Sequence, residues 1–102
     1  VIESRLNNGG TPLHVAAERG QVGAIGLLLD RGAVIGSQMN NGGTPLHTAA
    51  ATDQVGAIGL LLDRGAMVDA RDTDGMTPLH VAAVGAHVGA IGCLLDRGAS
   101  PA

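Results

Sequence analysis

Phenylalanine, tyrosine, tryptophan and lysine are all absent from this 102-residue chain, and cysteine occurs once. Without aromatics, the core must be built from Leu, Ile, Val, Ala and Met. Apolar residues make up 45 % of the chain, so that material is present in quantity. Six Arg face nine acidic residues, for a net charge of −3. This balance excludes the basic stripe that nucleic-acid binding surfaces display. No apolar run approaches the ~20 residues that span a bilayer, so no membrane contact is expected. The opening residues Val1, Ile2, Glu3, Ser4, Arg5 and Leu6 lack the apolar stretch of a signal peptide. A lone Cys93 excludes a disulfide framework. It points to a reducing, intracellular home, with the cytoplasm as the expected compartment.

What is abundant is repetition. Thr-Pro-Leu-His occurs at Thr11–His14, Thr44–His47 and Thr77–His80, always 33 residues apart. Shifted by 33, most of the chain falls on itself. Val22–Ala33 and Val55–Ala66 are identical, and Val88–Ala99 differs only at Cys93. Val1-Ile2-Glu3-Ser4 matches Val34-Ile35-Gly36-Ser37. The expected organisation is a tail of a preceding repeat over 1–6, then repeats over 7–39, 40–72 and 73–102. A fixed period in this range predicts a stacked repeat protein. A stack offers an extended surface and usually no pocket, which favours binding over catalysis.

Each unit parses into the same elements. Thr11 is a helix N-cap, and Pro12 suits a first turn where no amide donor is needed. Leu13, Ala16 and Ala17 share one face of a short helix ending near Gly20. A second helix is predicted over 22–31, with Val22, Ile25, Leu28 and Leu29 as its buried stripe. Gly32 suits a left-handed C-cap. Asn-Asn-Gly-Gly or Asp-Thr-Asp-Gly then signals a turn. The unit is helix–turn–helix followed by a projecting hairpin-like loop.

With TPLHVAA, TPLHTAA, TPLHVAA and the recurring LLLDRGA, the chain resembles the ankyrin repeat family over essentially its whole length. The resemblance implies an all-α solenoid of stacked helix–turn–helix repeats with projecting β-hairpin loops. It implies binding of another protein through a concave face of hairpin tips and first helices. It supplies no catalytic residue, cofactor or metal. Three departures stand out. Asp53 and Ala86 replace the turn glycine that Gly20 keeps. Leu6 and Met39 occupy the hairpin-tip position where Asp72 fits the family. Gly23, Gly26, Gly56, Gly59, Gly89 and Gly92 lie on the outer side of the second helices, each at a cost of roughly 1 kcal/mol against Ala. The sequence itself offers no reason for these six.

Candidate chemistry falls away residue by residue. Stacking sets His14, His47 and His80 far apart, with no second ligand beside any of them. The resemblance gives these histidines hydrogen bonds within and between hairpins, and gives His87 a similar structural part. Asp72-Thr73-Asp74-Gly75 opens like a calcium loop, but the position needing Glu is Ala83. Gly20, Gly23 and Gly26 lack the Lys of a phosphate loop. Cys93 has no His–Asp constellation to make it a nucleophile and is expected buried or half-buried. No enzyme is expected.

Differences between the repeats separate framework from individual surface. They collect at the ends of the first helices and along the hairpin arms. A partner is therefore expected to touch Glu18, Arg19, Asn40, Asn41, Thr52, Arg71, Thr73, Asp74 and Met76. The alternative is a structural, self-assembling scaffold, or an engineered array without a natural partner. Near-identity of the framework suits recent duplication or engineering. Leu94, Leu95, Val1 and Ile2 are the expected self-association surface at the ends of the stack.

Overall fold

The computed structural model describes residues 4–102. Among these the chain forms six helices: α1 Pro12–Glu18, α2 Val22–Asp30, α3 Pro45–Ala51, α4 Val55–Asp63, α5 Pro78–Val84 and α6 Val88–Asp96. No strand forms among the described residues. Helices α1, α3 and α5 pack side by side as an inner row, and α2, α4 and α6 as an outer row. The stack measures 38 × 26 × 19 Å.

Local chemistry sets the ends of each helix. Thr11, Thr44 and Thr77 accept the backbone amides of His14, His47 and His80, and the histidine rings return a bond to the cap backbone. This reciprocal box satisfies amide groups that otherwise lack partners in the first turn. Pro12, Pro45 and Pro78 open the helices, as the spacing predicts. The second helices stop at Asp30, Asp63 and Asp96, one residue before the expected boundary. Gly32 follows in the left-handed region at φ 100°, and the amides of Gly32 and Ala33 close back onto Leu29 and Leu28. Only a residue without Cβ adopts that conformation at no steric cost.

Leu13, Leu46, Ile25, Ile58, Leu61 and Leu94 are the large side chains of the core. Ala17, Ala49, Ala50 and Ala82 are fully buried between the inner helices. Their size sets the close spacing of the row, and this is how a core forms without aromatics. Two expectations are corrected here. Val22 is not on the buried stripe but 44 % exposed, and Val55 and Val88 are exposed likewise. As the first residue of its helix, Val22 points across the outer row rather than inward. Leu94 is no end-surface residue: it is fully buried beneath α6, whereas Leu95 is exposed. Val1 and Ile2 lie outside the described residues.

Candidate partner-binding face

The hairpin loops are built on identical frames. Leu6 N–H donates to Gly10 O at 2.8 Å, and Met39 and Asp72 repeat the bond to Gly43 and Met76 at 2.9 Å. Gly9, Gly42 and Gly75 turn each tip with positive φ. Tips then join one to the next. Asn40 N–H donates to Asn8 O, and Thr73 N–H to Asn41 O, both at 2.9 Å. A Cβ on Gly42 would lie 2.7 Å from the Thr73 nitrogen, so only glycine permits this approach. The departure at the tip position also resolves. Asp72 Oδ1 accepts the amides of Asp74 and Met76, both at 2.9 Å. Where Leu6 and Met39 cannot, Asn8 and Asn41 accept from Gly10 and Gly43 instead, at 2.8 Å.

The histidines tie hairpin to helix. Nε2–H of His14 donates to Gly43 O at 2.9 Å, and that of His47 to Met76 O at 2.8 Å. In each ring Nδ1 accepts from its threonine cap. Carbonyl oxygens only accept, so the Nε2–H tautomer follows from the partners. His80 keeps its own cap contacts, but its Nε2 meets no acceptor among the described residues. His87 bonds to Ala51 O in the preceding repeat at 3.0 Å.

Between the hairpins and the first helices lies a groove of about 210 Å³. Met39, Asn41 and Asp72 line it from the hairpin side; Glu18, Thr48, Thr52 and Val81 line it from the helices. The structure therefore brings together Glu18, Asn41 and Thr52 of the expected contact set. Arg19, Asn40, Thr73, Asp74 and Met76 do not line this groove, and Arg71 lines a separate cavity on the hairpin arms. All nine are exposed except the half-buried Met76. Several are also occupied within the chain. Asn40 Nδ2 donates to Asn7 O, Thr73 Oγ1 to Asn41 O, Arg71 Nη1 to Gly75 O, and Thr52 Oγ1 to Thr48 O. Glu18, Arg19 and Asp74 keep exposed side chains with no such bond among the described residues.

Sequence reasoning missed Met39, Thr48 and Val81 as groove residues. The signal was present. Val15, Thr48 and Val81 occupy one repeat position, and it is the one place where TPLHVAA becomes TPLHTAA. Val84, 80 % exposed, extends an apolar surface beside Val81.

Two family models match the sequence. One for ankyrin repeats in three copies covers residues 34–102, and one for ankyrin repeats in many copies covers residues 2–49. The chain belongs to the ankyrin repeat family. A comparison with curated proteins finds no match. Ankyrin repeats are in general protein–protein interaction modules and typically non-catalytic. No helix among the described residues is long and apolar enough to cross a membrane. Cys93 is a free, half-buried thiol.

Proposed function

We propose that this ankyrin array is a non-catalytic module that binds a protein partner in the groove between its hairpin tips and first helices. The observation that carries the reading is the composition of that groove. Met39, Ala51 and Val81 supply its apolar lining, and the acidic residues Glu18 and Asp72 line it as well. A partner suited to it brings an apolar segment and a flanking basic residue. It also supplies the aromatic anchors this chain lacks, since interface energy concentrates in Trp, Tyr and Arg. Arg19, Asn40, Thr73 and Asp74, with Met76, extend the proposed contact surface beyond the groove lining. The free thiol of Cys93 suits a reducing, cytoplasmic setting.

Selection of a displayed peptide library on the intact chain tests this. Met39→Ala and Glu18→Ala should each weaken a selected peptide by about 1 kcal/mol, or roughly fivefold. Unchanged affinity, with a footprint confined to α2, α4 and α6, rejects the groove. Self-assembly is the second reading, favoured by the exposed apolar side chains of Val84, Val88 and Leu95. Molar mass across a concentration series separates the two, because assembly makes it grow.

A further inference from the structure

The arms that lead into the hairpins leave unequal gaps. Between the arms of the second and third repeats, Asp69 bridges the gap: its Oδ1 accepts the Ser100 amide at 3.2 Å. One repeat earlier, the equivalents of Asp69 and Ser100 are Gly36 and Met67. Gly36 has no side chain to reach across, and a Cβ built on it meets nothing within 4 Å. The Met67 amide accordingly finds no acceptor among the described residues. A cavity of about 370 Å³ opens there, with Ile35, Ala66, Met67 and Ala70 among its walls. Arg71 is its one charged lining residue. The neighbouring carboxylates are turned away from it: Asp69 holds Ser100, and Asp72 holds the amides of its own turn.

We infer that this slot takes an acidic side chain from an extended, aliphatic segment of a partner protein. The ligand carboxylate stands where Asp69 stands one repeat later. It accepts the Met67 amide and faces the Arg71 guanidinium, while flanking aliphatic side chains cover Ile35 and Ala66. Charge-assisted hydrogen bonds of this kind are the strong ones. The slot shares no lining residue with the groove between hairpins and first helices, so either site stands if the other fails.

The test is titration of the intact, ¹⁵N-labelled chain with the blocked peptide acetyl-Val-Asp-Ala-Val-amide, its Asn counterpart, and isobutyrate as a free carboxylate. The Asp peptide should move the Met67 and Ala70 amide resonances. Its Asn counterpart should bind about tenfold more weakly, as loss of an ionic acceptor demands. Arg71→Gln should weaken the Asp peptide similarly. Gly36→Asp should abolish binding, because it supplies the missing carboxylate from within. If Gly36→Asp fails to fold, the Asp–Asn comparison and Arg71→Gln still decide. Equal response to both peptides, no shift at Met67, or unchanged binding in Arg71→Gln overturns the proposal. Isobutyrate binding as tightly as the Asp peptide overturns the partner segment in favour of a free acid.

Discussion

The carboxylate of Asp53 reaches into the next repeat and accepts the amide of Ala90 at 2.9 Å. Ala90 lies in the first turn of α6, where amides lack helical partners. The residue at the N-cap of α6, His87, makes no side-chain cap bond of its own. Asp53 therefore caps a helix that lies 37 residues away in sequence. It does so from a left-handed backbone, φ 56°, at the position that Gly20 fills in the first repeat.

Two substitutions separate these roles. Asp53→Ala loses the cap and keeps the strained backbone, and should cost about 1 to 2 kcal/mol. Asp53→Gly loses the cap but relaxes the backbone, so its cost should be under about 0.5 kcal/mol. Urea midpoints of the two variants give the comparison. Equal losses would show that the backbone carries no strain.

Ala86 isolates the strain term. It occupies the same turn at φ 55° and has no side chain with which to compensate. Ala86→Gly should raise the unfolding free energy by about 0.5–1 kcal/mol, the left-handed penalty reduced by the greater freedom of glycine when unfolded. A lower thermal midpoint for Ala86→Gly would contradict this.

What the sequence made legible were the contacts that span three or four residues. Thr11 as a cap, Pro12 at the helix start and Gly32 at the helix end are local signals, and the period of 33 tripled each. Apart from the histidine bonds that the family resemblance implies, contacts between repeats stayed hidden. Asp53 looked like a loss of the turn glycine because its partner, Ala90, is remote in the chain. Leu6 and Met39 looked like departures because the substitute acceptors, Asn8 and Asn41, act two positions later. Val22 follows helical spacing, yet it sits at a helix start where the next repeat, not the core, is its neighbour. The groove was half legible. Its polar lining at Glu18 and Thr52 came from differences between repeats, but apolar lining residues such as Val81 read as framework.

The outer-row glycines divide on the same ground. A Cβ on Gly23, Gly26 or Gly92 meets nothing within 4 Å, and at Gly56 and Gly59 it meets only ordinary contacts at 3.5 and 3.9 Å. At Gly89 it would press on Val55 Cγ2 at 3.1 Å and on the capping Asp53 Oδ1 at 3.3 Å. The expectation of six equivalent sites therefore reduces to five. Ala at Gly26, Gly59 and Gly92, in mid-helix, should each gain up to ~1 kcal/mol, and less at Gly23 and Gly56 in the first turn. Gly89→Ala should gain nothing and weaken the Asp53 cap. Thermal midpoints of the single variants measure this, and an equal gain at Gly89 would mean that Asp53 yields freely.

Links between repeats differ in strength by burial. Arg64 pairs with Asp30 at 2.7 Å and Arg97 pairs with Asp63, but all four are solvent-exposed. Such pairs contribute about 0–1 kcal/mol and are screened by salt. His47 is buried and serves three groups at once: the Thr44 amide, the Thr44 hydroxyl and the Met76 carbonyl. Its removal leaves buried polar groups unpaired, each worth about 1–3 kcal/mol. His47→Ala should therefore cost about 3 kcal/mol or more, with a loss insensitive to salt. Arg64→Ala should cost less than about 1 kcal/mol, and that loss should vanish in 1 M NaCl, where the screening length falls to roughly 3 Å. Urea unfolding of both variants at low and high salt gives the four values. A larger loss for Arg64→Ala than for His47→Ala would place the tie between repeats on the outer surface rather than at the buried histidine.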